Sequence, residues 1–182
     1  MQSYDYAHRK GVRAISWDEF AALSARLAED VEMAGVEVIV GIARAGLFPA
    51  VALACSLRRE LYPVRVTRRV NDAVSFRSPV WRVPVSPEVA GKRVAVVDEI
   101  ADTGETLALV ADKVRVSGAT HVITACLVSH TWTSPAPDLA ALVTDALVLF
   151  PWDRQVLIAG HWQPHPEIVA ALEAQGGTNR ET

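Results

Sequence analysis

The sequence is poor in cysteine and has no long apolar run, and these shortages exclude several classes of protein. Its 182 residues include two cysteines, Cys55 and Cys126, which lie far apart in hydrophobic stretches and form no C-x-x-C pair. This spacing excludes a disulfide framework and a zinc ribbon, and it predicts reduced core residues in a cytoplasmic protein. No apolar segment approaches the ~20 residues of a membrane helix. The amino terminus lacks the basic-then-apolar layout of a secretion signal, so no membrane partner is expected.

Charge and size further restrict the class of protein. The formal net charge is −3, and only three of the 18 basic residues are lysines. Affinity for a phosphate backbone requires concentrated positive charge, so nucleic acid is not an expected partner. Hydrophobic residues make up 51% of the chain and charged residues 21%, which favours a buried core over disorder. The length predicts a single domain over residues 1–182.

Alternating helix and strand patterns predict the fold class. Ser16 and Glu19 form a capping box, and apolar residues at helical spacing then predict a helix to Met33. Residues 1–14 are polar and aperiodic, which predicts a loose arm. Strands are predicted at 36–40, 63–70, 93–97, 121–128 and 146–150, and further helices at 47–61, 105–116 and 166–174. The pattern indicates an α/β, doubly wound fold with a mostly parallel central sheet, helices on both faces, and a ligand site beyond the carboxyl ends of the strands.

The segment after the predicted strand 93–97 is the strongest candidate for a functional site. Residues 98–106 read Asp-Glu-Ile-Ala-Asp-Thr-Gly-Glu-Thr. The glycine, the hydroxyls and the helix start within 103–106 suit a terminal phosphate. Asp98 and Glu99, where the strand is expected to end, suit vicinal hydroxyls, so a sugar phosphate satisfies both halves. The plainer alternative is that both carboxylates are solvated and Thr103 only caps the helix.

Residues 94–106 resemble the phosphoribosyl-pyrophosphate signature of the type I phosphoribosyltransferases, and the chain is most similar to the xanthine-guanine and hypoxanthine subgroup. The resemblance covers a core of about residues 16–155 and leaves 156–182 as a C-terminal segment. It implies transfer of ribose 5-phosphate from phosphoribosyl pyrophosphate to a nucleobase, in this subgroup a purine, with release of pyrophosphate. It also implies Mg²⁺, held mainly by the substrate near Asp98 and Glu99, without a protein metal cluster.

The same resemblance assigns roles within the signature. Asp98 and Glu99 would hold the ribose 2′ and 3′ hydroxyls. Asp102 would face the base and assist proton transfer on its ring. The residues that would wrap the 5′-phosphate follow one another along the chain: Asp102, Thr103, Gly104, Glu105 and Thr106.

A second loop is similar to the pyrophosphate loop of the family. Residues 41–47 read Gly-Ile-Ala-Arg-Ala-Gly-Leu. Arg44 would grip the leaving group with its bidentate donors, beside the backbone of Ala43, Ala45 and Gly46. A strand, a glycine-flanked turn and a helix are also ordinary turn chemistry, and the lysine of a nucleotide P-loop is absent.

The base side departs from the family pattern. Trp152 resembles the aromatic residue that stacks on the purine after the last strand, with a core tryptophan as the alternative. The family usually places a lysine after the strand that is predicted to end near Val128, and His130 stands there instead. A histidine at this position either contacts the base or is a polar loop residue. The missing lysine puts 6-oxopurine specificity in doubt.

Residues 71–87 resemble the hood that closes over the reacting centre in this family. Ser75 and Phe76 resemble a Ser-Tyr pair without its hydroxyl, and arginines at 68, 69, 77 and 82 would meet pyrophosphate or remain solvated. A sensor of phosphoribosyl pyrophosphate or of nucleotides, without turnover, is the alternative function. Dimers are common in the family, so a homodimer is a further expectation.

Overall fold

Strands and helices alternate along the chain in the computed structural model, which describes residues 9–67, 69–70, 73–74 and 79–176. The chain divides into two compact units, Ala21–Thr144 and Met1–Phe20 together with Asp145–Thr182. A single domain over 1–182 stays a prediction. Within the described residues, no helix is both long enough and apolar enough to cross a membrane.

The described residues form strands of two to nine residues. In chain order they are β1 Val12–Ala14, β2 Val38–Ile42, β3 Glu60–Thr67, β4 Arg69–Val70, β5 Ala73–Val74, β6 Val80–Val83, β7 Arg93–Ala101, β8 His121–Ser129, β9 Leu139–Val143, β10 Leu147–Leu149, β11 Gln155–Ile158 and β12 His161–Pro164. The helices are α1 Trp17–Met33, α2 Leu47–Leu57, α3 Glu105–Val116 and α4 Pro166–Gly176.

The larger unit contains a six-stranded sheet with the order β6-β3-β2-β7-β8-β9. Its strands are parallel except β6, which pairs antiparallel with β3. Side chains alternate between faces along β2. Val40 and Ile42 pack with Leu107 of α3 in the main hydrophobic cluster, whereas a Cβ at Gly41 would lie 2.7 Å from Cβ of Ala50 in α2. Helices therefore cover both faces, and the predicted fold class is confirmed.

Helix α2 is shorter than its apolar pattern predicts. Arg58 adopts a left-handed conformation (φ 53°) and its N–H bonds back to the carbonyl of Ala54, which ends the helix. Residues 60–62 then belong to β3, where Leu61 pairs with Ile39. The predicted end of the helix at residue 61 and the predicted start of the strand at residue 63 were wrong, because the left-handed turn at Arg58 leaves no signal in the hydrophobic pattern.

The smaller unit holds elements that the sequence patterns did not predict. Val12–Ala14 forms β1 and pairs parallel with β10, so the loose-arm prediction was wrong there; residues 1–8 lie outside the described residues. Strands β11 and β12 form an antiparallel hairpin in a stretch with no predicted strand. In the larger unit, β9 was also missed.

The two cysteines differ in environment. Cys126 is buried, as predicted, but Cys55 is exposed, so the prediction of a core residue was wrong for Cys55. The buried side of α2 is formed by Pro49, Ala50, Leu53 and Ala54. Cys55 lies outside this stripe on a helix that is apolar nearly all round, and such a helix gives no periodic signal for its exposed side.

Candidate active site

Three loops meet the same edge of the six-stranded sheet. They follow β2, β7 and β8, which are parallel neighbours. The carboxyl ends of parallel neighbours lie at one edge of a sheet, where open α/β sheets bind ligands. The loop after β2 holds residues 43–46, the loop after β7 holds 102–104, and the loop after β8 holds 130–135.

Asp98 and Glu99 are adjacent carboxylates within β7, which continues to Ala101 rather than ending at residue 97. Asp98 is buried (8% exposed) and Glu99 is half-buried. The Glu99 N–H donates to Asp98 Oδ1 at 2.9 Å. Burial raises the pKa of Asp98 well above its usual range, and the charge of Glu99 raises it further. The charge of Glu99 therefore acts on Asp98, although neighbours in a regular strand point to opposite faces.

The loop after β2 lies directly against Asp98. A Cβ at Gly46 would lie 2.5 Å from Asp98 Oδ1 and 2.5 Å from the carbonyl oxygen of Ile42. Gly46 has ordinary right-handed dihedrals (φ −61°, ψ −13°), so glycine is required here for space and not for conformation. The loop that resembles the pyrophosphate site and the carboxylates that resemble the ribose site are therefore in contact.

The other residues of this loop are accessible. Arg44 is exposed, and Ala43 and Ala45 are half-buried. The peptide bond between Ala43 and Arg44 is cis. The structure thus brings the Gly46 end of the loop to Asp98 and leaves the Arg44 side chain at the surface.

The start of α3 forms the phosphate-side part of the candidate site. Gly104 caps the helix with φ +83°, a conformation that favours glycine. Thr103 Oγ1 accepts from the N–H of Glu105 at 3.4 Å. This is the helix-capping role that the alternative interpretation of the sequence gave to Thr103. Thr103, Glu105 and Thr106 are all exposed. The side chains of Thr103 and Thr106 and the amino terminus of α3 are therefore accessible to an anion.

The loop after β8 holds the loop after β7 in place. Thr133 is buried, and its hydroxyl lies 2.7 Å from the carbonyl oxygen of Ala101 and 3.0 Å from that of Asp102. The same oxygen accepts from the N–H of His130 at 3.1 Å. The Ser134 N–H also donates to the carbonyl of Thr103 at 3.2 Å.

Close packing completes this junction. A Cβ at Gly104 would lie 2.1 Å from the carbonyl oxygen of Pro135. The roles of Thr133 and Pro135 were not predicted from the sequence. The signal available was their place just after a buried strand at the ligand edge.

The side chains of His130 and Trp132 lie beside one oxygen of the Asp102 carboxylate. The Trp132 indole N–H donates to Asp102 Oδ1 at 3.3 Å, and His130 Nε2 lies 3.9 Å from the same oxygen. The two rings stack with centroids 4.3 Å apart and planes 16° apart. The His130 side chain is fully buried, and Nδ1 donates to the carbonyl of Thr144. Burial of the ring does not support the predicted contact between His130 and a base, which stays a prediction.

Other predicted residues lie elsewhere or outside the described residues. Trp152 belongs to the smaller unit, where it stacks on Phe150 with centroids 4.8 Å apart and meets Phe20 edge-on at 5.4 Å. Its contact with a purine stays a prediction. Within the predicted hood, 80–83 forms β6. The hood residues Ser75, Phe76 and Arg77, together with Arg68, lie outside the described residues.

Asp98 and Glu99 suit a Mg²⁺ ion that the protein and the substrate bind together, rather than one bound by protein ligands alone. Among the described residues, no group of three His, Cys, Asp or Glu side chains is placed to hold a metal ion. Mg²⁺ is commonly bound by one or two carboxylates together with substrate phosphates. Asp98 and Glu99 fit that donor set.

Comparison with known proteins identifies the family. The phosphoribosyl transferase domain family matches residues 15–157. A xanthine-guanine phosphoribosyltransferase of Cereibacter sphaeroides is 28% identical over 165 residues, covering 80% of this chain and 89% of that protein. The chain therefore belongs to the phosphoribosyltransferase family and is an enzyme of that class.

Solved structures agree with this assignment. A purine phosphoribosyltransferase of Pyrococcus horikoshii matches with a TM-score of 0.71 and 32% identity, covering 81% of this chain and 97% of that chain. A Neisseria gonorrhoeae protein with bound ppGpp (TM-score 0.68, 22% identity, 93% and 99% covered) shares the fold. So does a Helicobacter pylori xanthine-guanine-hypoxanthine phosphoribosyltransferase (0.65, 20%, 80% and 93%).

Proposed function

We propose that this enzyme transfers ribose 5-phosphate from phosphoribosyl pyrophosphate to a purine base and releases pyrophosphate. The observation that carries the proposal is the contact between Gly46 and Asp98. It joins the loop that resembles the pyrophosphate site to the carboxylates that resemble the ribose site. The exposed helix start at Thr103–Thr106 lies at the same sheet edge. Purine as the base is supported by the two relatives named for purine or xanthine-guanine transfer that share 28–32% identity.

The residues of the candidate site have separate roles in the proposed reaction. A ring nitrogen of the base forms a bond to C1 of the ribose, the bond from C1 to pyrophosphate breaks, and the nitrogen loses its proton. Asp98 and Glu99 orient the ribose hydroxyls, and the backbone at the start of α3 binds the 5′-phosphate. Arg44 neutralises charge on the departing pyrophosphate. Asp102 accepts the proton from the base.

The proposed reaction depends on Mg²⁺. Asp98 and Glu99 would hold the ion together with the substrate's own oxygens. The chemistry that it supplies when bound is neutralisation of the pyrophosphate charge. We expect pyrophosphate release to stop when the ion is chelated and to return when Mg²⁺ is added in excess.

One assay separates turnover from mere binding. Protein, Mg²⁺ and phosphoribosyl pyrophosphate are mixed with hypoxanthine, guanine, xanthine or adenine, and pyrophosphate release is followed. We expect release with at least one base. Saturable binding of phosphoribosyl pyrophosphate without release from any base would contradict the proposal and favour the sensor alternative.

A double variant tests the carboxylates. Replacing both Asp98 and Glu99 with alanine should abolish transfer, because no acceptor for the ribose hydroxyls remains, while circular dichroism reports a folded protein. Glu88→Ala, which removes a carboxylate from the 3₁₀ turn Pro87–Val89, is the control and should keep wild-type activity. Transfer at the wild-type rate in the double variant would contradict the sugar role.

A further inference from the structure

Trp132 lies outside the family-like motifs and contacts the side chain of Asp102. Its indole N–H donates to Asp102 Oδ1 at 3.3 Å, and the residue is 39% exposed. An indole is a donor only and has two side-chain torsions. A hydrogen bond from such a rigid group restricts the rotamers of the carboxylate that accepts it.

The indole is itself held from one side. His130 stacks on it at 4.3 Å, and the His130 ring is fixed because Nδ1 donates to the carbonyl of Thr144. The ring of His130 is fully buried, so a substrate has no access to it in this arrangement. The contacts form a chain from the backbone of β8 and Thr144, through two stacked rings, to one oxygen of Asp102.

We propose that Trp132 is a positioning residue that orients Asp102 for removal of the proton from the base, and that His130 acts by supporting the indole. The inference rests on the proposed function, because it gives Asp102 its role in that reaction.

Trp132→Phe tests the hydrogen bond with little change in packing. Phenylalanine keeps a flat ring above His130 but has no N–H. We expect kcat to fall by roughly tenfold, a part of the 10²–10⁴-fold that a positioned proton acceptor contributes, with KM for phosphoribosyl pyrophosphate unchanged. Trp162→Phe makes the same chemical change on β12, where Trp162 is 68% exposed, and should leave kcat at the wild-type value.

A double-mutant cycle shows whether Trp132 acts through Asp102. In an Asp102→Asn background, Trp132→Phe should cost no further activity, since the group that it orients is gone. An equal fold-loss in both backgrounds, or a wild-type kcat in Trp132→Phe alone, would overturn the inference. Failure of the proposed function can be distinguished from failure of this inference, because the wild-type enzyme itself would then release no pyrophosphate.

An NMR measurement tests the contact independently of turnover. The indole proton resonance that disappears in Trp132→Phe belongs to Trp132. It should shift upfield in Asp102→Asn, because an amide oxygen is a weaker acceptor than a carboxylate. A resonance that does not move would overturn the inference whatever the activity.

Discussion

Gly46 and Asp98 lie so close together that a methyl group on the glycine would be 2.5 Å from the carboxylate. One residue comes from the loop after β2 and the other from β7, and their contact joins the two halves of the candidate site. Because Gly46 has ordinary helical dihedrals, the constraint at this position is steric. The nearest atoms are a buried carboxylate and the Ile42 backbone, neither of which moves easily.

Gly46→Ala should therefore impair the site more than the fold. We expect kcat/KM for phosphoribosyl pyrophosphate to fall by at least about tenfold, because a displacement of about 1 Å at a reacting centre costs up to 10²-fold. Steady-state kinetics at saturating base measures the loss. Gly91→Ala adds the same methyl group where no neighbour lies within 4 Å; because Gly91 has φ +73°, this control should lose stability through backbone strain but keep wild-type kinetics. Equal kinetics for the two variants would refute steric control by Asp98.

The raised pKa of Asp98 predicts a pH-dependent stability. Between the unfolded value of about 3.9 and the raised folded value, the folded protein holds a proton that the unfolded chain has lost. Stability therefore falls as the pH rises through this window. Asp98→Asn removes the ionisation and retains a carbonyl that accepts from the Glu99 N–H, so it should be more stable than the wild type at neutral pH.

Urea unfolding measures this effect. The advantage of Asp98→Asn should be larger at pH 7.5 than at pH 4, because the wild-type carboxyl resists ionisation in the folded state. An advantage that is the same at both pH values would mean that ionisation of Asp98 does not limit stability.

The two cysteines should differ in reactivity. Burial, with a smaller contribution from the charge of Asp98, raises the pKa of Cys126 to about 12, and the thiolate is the reactive form. Cys55 is exposed. A thiol reagent at pH 8 should modify one cysteine in the folded protein and two in urea. Cys55→Ser should abolish the fast reaction, whereas fast labelling that persists in this variant would show that Cys126 is accessible.

Sequence patterns predicted much of the sheet and both main loops of the candidate site. The apolar run of β7 and the Asp-Thr-Gly start of α3 are local features, and α3 has the bounds that the pattern predicted. One kind of error arises where a segment depends on a distant partner. Val12–Ala14 becomes a strand only because β10 supplies backbone partners. The local hydrophobic pattern does not indicate such a pairing.

The supporting contacts of the site were also beyond local patterns. Thr133 is linked to Ala101 and Asp102, more than 30 positions earlier in the chain. Its importance depends on β7 and β8 being neighbours in the sheet. The strand alternation predicts a parallel sheet but does not fix which hydroxyl on one loop meets which carbonyl on the next.

Thr133 couples the loop after β8 to the phosphate-side loop, so Thr133→Val should weaken both the fold and substrate binding. Valine has nearly the same shape but leaves the His130 N–H and the Ala101 carbonyl without the hydroxyl. We expect unfolding free energy to fall by about 1–3 kcal/mol, the cost of unsatisfied buried polar groups. KM for phosphoribosyl pyrophosphate should rise as well, because Thr103 and Gly104 lose this support. Thr133→Ser keeps the hydroxyl and should retain most of both properties in urea unfolding and kinetics. If serine were as damaging as valine, the methyl packing of Thr133 and not its hydrogen bonds would hold the two loops together.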